Sequence, residues 1–268
     1  MTNFADDESL TAFERRTTNL LQVVNEGPRA RRWQRVFMRQ FGRRWVHVCT
    51  RNLLHIEGLD RLRTLRPERG VLLCANHRSF FDFYILCQVL MQENPPWARH
   101  FFFPVRSDYI YETWSGLFIN LLLGAGTMYP PVFRDPSKQH VNKLAVQRIV
   151  ELARAPGNLI GMHPEGTRGQ GPDPYALLKA QPGVGQIALQ AQPTLVPVWI
   201  NGLTNKFVEQ IASNFRREDR RGETINVIFG EPLDLGELGR QSPRPAAYKR
   251  VADFILAEIG KLGEHERV

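Results

Sequence analysis

The chain has 268 residues, 43% of them hydrophobic and 23% charged, with a formal net charge of +8. That length and apolar content fit one domain with an appendage and exclude a chain disordered by composition. The positive balance points to anionic partners, and the odd cysteine count (Cys49, Cys74, Cys87) fits a reducing compartment better than a disulfide scaffold.

The amino-terminal stretch MTNFADDESL is acidic and polar, so no secretory signal is expected. Residues 10–25 read as a helix, stopped at Glu26-Gly27-Pro28. A second helix is expected over residues 29–49. At about 100° per residue, Trp33, Val36, Phe37, Phe41, Trp45 and Val48 share one broad face, flanked by Arg32, Arg35, Arg39 and Arg43. A basic amphipathic helix with Trp and Phe reads as membrane-surface contact. Packing of the same face on the domain, with solvated arginines, is the alternative, and the pattern allows both.

Beyond Arg51 short apolar runs alternate with helical ones. Strands are expected at residues 53–56, 71–75, 101–105, 127–133, 158–162, 195–200 and 224–229. Helices are expected at 81–91, 109–123, 137–153, 184–190 and 246–262. The fold expected is α/β, a mixed sheet flanked by helices, with an N-terminal helical pair. Residues 1–52 are expected to form the helical part, a candidate for membrane-surface contact, and 53–268 the main domain. The most apolar stretch, 116–128, is broken by Asn120 and Gly124 and falls short of the ~20 residues of a spanning helix.

In an α/β sheet chemistry collects where strand ends meet helix starts. Two such loops stand out. In NHRSFFDF, Ser79-Phe80-Phe81-Asp82 reads as a capping box, and His77 with Asp82 reads as a general base and its orienter. On one continuous helix these two would lie about 140° apart, so their contact requires the break between strand and helix. Asp82 can serve both readings, closing the cap with one oxygen and holding His77 with the other. A helix N-terminus and a carboxylate act in opposite senses on an imidazolium, an arrangement that holds a histidine near neutral pKa. The second loop is HPEGTRGQGP, residues 163–172. Its glycines expose backbone N–H groups and Arg168 offers a fork for phosphate; a solvated turn with a Glu165–Arg168 pair is the alternative. Downstream, Gly183 and Gly185 open a helix whose N-terminus suits an anion, and Pro197 within its strand predicts an edge or a bulge.

Taken in order, Asn76-His77-x4-Asp82, Arg134 in PPVFRD, Glu165-Gly166-Thr167-Arg168 and Val196-Pro197 resemble the glycerolipid acyltransferases of the 1-acylglycerol-3-phosphate acyltransferase family, over residues 53–229. The resemblance implies His77 as the general base for an acceptor hydroxyl and Asp82 as its support. It implies a phosphate pocket from Arg134, Glu165, Gly166, Thr167 and Arg168, with Pro197 shaping the acyl-donor side. It further implies direct transfer from acyl-CoA or acyl carrier protein to a lysophospholipid, first of all 1-acylglycerol-3-phosphate to give phosphatidic acid, without an acyl-enzyme, cofactor or metal. The alternatives are the same chemistry on another lyso-lipid or a lipid-binding module without catalysis. The enzyme would work at an anionic membrane surface, as a peripheral protein of the cytoplasmic face; no nucleic-acid partner is expected. Three positions depart from the family pattern. Pro130-Pro131 precede Arg134, His163 replaces a usual phenylalanine and reads as packing or solvent-facing, with a place in the site as the alternative, and Trp199 is a bulky residue beside the expected acyl pocket.

Overall fold

The computed structural model describes Phe4 and residues 7–267; the absence of a secretory signal rests partly on residues 1–3, 5 and 6, which lie outside the described residues. Helix α1 (Ala12–Glu26) begins with a true capping box, in which Thr11 accepts from Glu14 N–H and Glu14 accepts from Thr11 N–H. The expected second helix is α2 (Pro28–Phe37), a π-helical turn (Met38–Gly42) and α3 (Arg43–Thr50). The π turn shifts the register, and the expected single apolar face divides. Phe37 and Trp45 are half-buried, whereas Trp33, Val36, Phe41 and Val48 remain exposed.

The main domain follows as β1 (Leu54–Glu57), α4 (Leu59–Thr64), β2 (Val71–Ala75), α5 (Asp82–Glu93), β3 (His100–Phe102) and β4 (Val105–Arg106). Then come α6 (Ser107–Ile110), α7 (Trp114–Gly124), β5 (Pro131–Val132), α8 (Gln139–Arg154), β6 (Asn158–Met162) and α9 (Pro182–Ala191). The chain closes with β7 (Thr194–Asn201), α10 (Phe207–Asn214), β8 (Ile225–Phe229) and α11 (Pro245–Arg267). Six strands form one mixed sheet in the order β1-β8-β7-β2-β6-β3, with β7–β8 antiparallel and the other pairs parallel. This is the expected architecture.

Several boundaries differ from the expectation, for local reasons. The run 101–105 splits because Pro104 has no N–H for the ladder; the chain leaves the main sheet and β4 pairs with β5 instead. The run 127–133 keeps only Pro131–Val132 as strand, since Pro130 and Pro131 both lack donors. Thr113 accepts from Gly116 N–H and starts α7 anew, dividing the helix expected over 109–123. The short helices α4 and α10 were not expected.

Handedness explains where the site falls. The crossover from β2 through α5 to β3 and the crossovers through α8 and α9 run in opposite directions along the sheet. Right-handed connections therefore put α5 on one face and α8 and α9 on the other. Adjacent strands β2 and β6 thus send their chains to opposite faces, opening a crevice beyond their C-terminal ends. Both strands are apolar and buried, with Val71 opposite Leu159 and Cys74 opposite Met162. His77 and His163 lie just past those ends.

Candidate active site

Asn76 leaves β2 fully buried and extends the pairing with β7 by side chain. Its Oδ1 accepts from Ile200 N–H at 2.7 Å and its Nδ2 donates to Ile200 C=O at 2.8 Å. The chain then breaks, as the His77–Asp82 reading requires, and α5 begins at Asp82. His77 Nδ1 and Asp82 Oδ2 are 2.9 Å apart.

The capping box is only half formed. Ser79 N–H donates to the Asp82 carboxylate at 3.0 Å, but the Ser79 hydroxyl accepts from Phe81 N–H and donates to Thr204 C=O. The division of labour between the two oxygens also differs from the expectation. Oδ2 alone collects His77 Nδ1, Arg78 N–H and Ser79 N–H, while Oδ1 is buried without a partner among the described residues. Burial raises the Asp82 pKa, and these backbone donors oppose the rise. Burial and the positive charge of Arg168 push His77 well below the ordinary histidine range rather than near neutrality. The imidazole is therefore neutral at physiological pH, with Nδ1–H donating to Asp82 and Nε2 left as its acceptor.

The second loop braces the first. Glu165 is buried; its Oε1 accepts from His77 N–H at 2.8 Å and its Oε2 from Leu178 N–H at 2.8 Å. Gly169 N–H donates to His77 C=O at 2.8 Å, and Gly166 closes a turn onto His163 C=O with φ of 68°, a conformation that favours glycine. A side chain at Gly166 would also strike Gln181. For His163 the alternative of a place in the site holds. Its ring stacks on His77 at 4.0 Å between centroids and 6° between planes, and Nδ1 meets the carbonyls of Ala75 and Asn76, each at 3.0 Å.

His77 and His163 line a cavity of about 250 Å³. Phe80, Phe83, Phe103, Val105 and Met128 give it an apolar wall; Gly166, Thr167, Arg168 and Arg106 add polar groups. Gly161 is required here, because any side chain would collide with the Phe103 ring at 2.0 Å. Arg168 bonds to Asn205 Oδ1 at 3.1 Å and to the Tyr109 hydroxyl at 3.3 Å. The Tyr109 ring lies between two guanidinium groups, Arg106 at 4.9 Å and Arg168 at 5.9 Å. Gly183 and Val184 bring the N-terminus of α9 to the same cavity, whereas Gly185 serves close packing, its Cα lying against Tyr248 of α11.

Of the expected site residues, His77, Asp82, Gly166, Thr167 and Arg168 thus converge. Arg134 is exposed two residues beyond β5 and does not line the cavity. Glu165 binds backbone rather than facing the cavity. Pro197 is also outside the lining: it sits inside β7, an interior strand, with its ring against Gly230 where the ladder to β8 gives way. Trp199 is core, packed on Gly263 and bonded to Glu266, away from any acyl pocket. Reading by motif missed Arg106 and Tyr109, whose only sequence signal is their position just after an apolar strand.

His77, Asp82 and His163 offer donor atoms within 4.8 Å of one another. Both Nδ1 atoms are engaged, and parallel rings aim their remaining lone pairs side by side rather than at one point. That geometry suits a dyad with a stacked neighbour better than a metal centre.

A family model described as Acyltransferase matches residues 54–201. The chain belongs to the acyltransferase family. The matched span contains both loops of the site and the strands β2 and β6 that carry them. A structural search finds the crystal structure of the 1-acyl-sn-glycerophosphate acyltransferase PlsC from Thermotoga maritima. The TM-score is 0.52 and the identity 18%, over 92% of this acyltransferase and 87% of PlsC. At that identity the likeness is one of fold. No curated protein matches this acyltransferase.

Proposed function

We propose that this acyltransferase moves a fatty acyl group from a thioester donor, acyl-CoA or acyl carrier protein, to the hydroxyl of a lysophospholipid. The acceptor the site fits best is 1-acylglycerol-3-phosphate, giving phosphatidic acid. One observation carries the reading: a neutral imidazole anchored by a buried carboxylate opens onto an apolar cavity that also holds two arginines.

In the proposed reaction Nε2 of His77 takes the proton of the acceptor hydroxyl as its oxygen attacks the thioester carbonyl. The tetrahedral intermediate collapses by breaking the C–S bond, and the imidazolium returns the proton to the departing thiolate. Asp82 holds the ring and stabilises its transient charge. No acyl-enzyme and no cofactor enter this scheme. Arg168 and Arg106, aided by Thr167 and the Gly166 loop, would hold the acceptor phosphate. Arg134, exposed near the β4–β5 ribbon, would reach it from the rim. The N-terminus of α9 favours negative charge at the same place. Glu165 and Pro197 would act indirectly, the first by fixing the His77 backbone and the second by shaping strand β7.

The enzyme would be peripheral and act at the cytoplasmic face, where residues 1–52 contact an anionic membrane surface and residues 53–268 catalyse. Among the described residues no helix is long and apolar enough to cross a membrane. Support comes from large side chains turned outward, Trp33 at 74% exposure, Trp114 at 76% and Phe118 at 63%. Product analysis after incubation with 1-acylglycerol-3-phosphate and mixed acyl-CoAs should yield phosphatidic acid. Equal turnover of an acceptor lacking the phosphate would contradict the assigned role of Arg168.

A further inference from the structure

A second cleft shares no lining residue with the catalytic cavity. At about 20 Å³ its interior has room for a water or two, so a bound group would sit at its mouth. Helix α2 and the π turn supply one wall with Arg35 and Arg39, four residues apart and therefore neighbours on the surface. The end of α5 supplies Asn94, and the approach to β3 supplies Arg99. Met38 and Phe101 line its apolar part.

Three arginines line this cleft and no carboxylate does, and Arg99 Nε donates to Pro96 C=O at 3.3 Å. Arg39 donates to the neutral Asn94 Oδ1 at 2.5 Å. Some arginines of the same chain find acids, as Arg63 does in Glu93 and Arg148 in Glu26, and others rest on neutral acceptors, as Arg69 and Arg154 do on backbone carbonyls. Beside the cleft, Arg31 Nε and His100 Nδ1 are buried without a partner among the described residues. Burial and the charges of Arg31, Arg35 and Arg99 hold His100 down to about 4, so it stays neutral and adds no further positive charge. Three arginines around one opening, with no acid among its lining residues, supply the fork donors that a phosphate group takes.

We propose that the cleft formed by Arg35, Arg39 and Arg99 is a second phosphate-binding site, separate from the catalytic one. The phosphate belongs either to an anionic lipid head group or to the soluble acyl donor. Position favours the head group, since α2 also turns Trp33 and Val36 outward from the same helix.

The test measures binding of the full chain and needs no acyl transfer, so its outcome is independent of the proposed reaction. Wild type, Arg35→Gln/Arg99→Gln and a control pair of equal charge change, the exposed Arg216→Gln/Arg217→Gln, are compared on two probes. One is phosphatidylcholine vesicles with and without phosphatidylglycerol, and the other is free CoA. The expected result is at least a tenfold loss on the anionic vesicles for the cleft pair, less than twofold for the control, and unchanged CoA binding. A cleft-specific loss on CoA instead would keep the site and assign it to the donor. No loss on either probe, or equal losses for cleft and control pairs, would overturn the proposal. Arg39→Gln, at an exposed position, carries the same comparison if the cleft pair fails to fold.

Discussion

The two loops around His77 and the helices before residue 52 handle their polar and apolar groups in opposite ways. In the loops nearly every backbone group near the histidine has a partner: His77 N–H on Glu165, His77 C=O on Gly169, and Arg78 and Ser79 N–H on Asp82. In the helices, Trp33, Val36, Phe41 and Val48 face outward, and Arg35 and Arg39 line a cleft without acids. A site that does chemistry is over-determined before substrate arrives, which lowers the reorganisation required at the moment of reaction. A surface that meets an external partner is left under-satisfied, and its missing contacts describe that partner.

This contrast can be broken in four ways, from the largest expected effect to the smallest. His77→Ala should lower kcat by about 10³-fold, the usual worth of a positioned base, with the melting temperature nearly unchanged; a variant that keeps full turnover would remove the dyad from the reaction. Glu165→Ala should cost about 2–4 kcal/mol in denaturant unfolding, because it leaves two part-buried N–H groups without their charged acceptor. Glu165→Gln retains one acceptor oxygen and should lose roughly half as much, whereas equal losses would argue against the brace. Arg168→Gln should raise KM for a phosphorylated acceptor by about tenfold or more, the value of one charge-assisted contact, and leave a phosphate-free acceptor unaffected.

The gentlest perturbation falls on the helices. Trp33→Ser with Phe41→Ser should change folding stability by no more than about 0.5 kcal/mol, since both side chains are exposed. Binding to anionic vesicles, measured by sedimentation, should weaken by about tenfold or more as the apolar area that would enter the interface is lost. A large loss of stability instead would show that the outward face supports the fold.

The same contrast governs what was legible in the amino-acid sequence. Strands β2 and β6 lie where expected because both are buried on two faces and read as unbroken apolar runs. The dyad was legible because a strand-to-helix break stands between its members. Periodicity alone could not show that Glu165 turns inward to backbone, which depends on an element distant in the chain, or that Asp82 uses one oxygen for three donors, which depends on the local path of the loop. Nor could it place Arg106, which reaches the cavity only because Pro104 diverts the chain into a second ribbon with β5. The π turn at Met38–Gly42 likewise defeated the angular plot, as any extra residue in a turn does.

The pH dependence of kcat/KM in the wild type and in His77→Ala tests the central claim most directly, since it reports the ionisation of the free enzyme's base. Only the neutral imidazole accepts a proton, and burial with Arg168 lowers the His77 pKa from its ordinary 6.5. Activity should therefore stay level as pH falls from neutrality through 6.5, decline only below it, and show no such limb in the residual rate of His77→Ala. An acid limb centred at or above 6.5, or the same limb persisting in the variant, would contradict the assignment of His77 as the base.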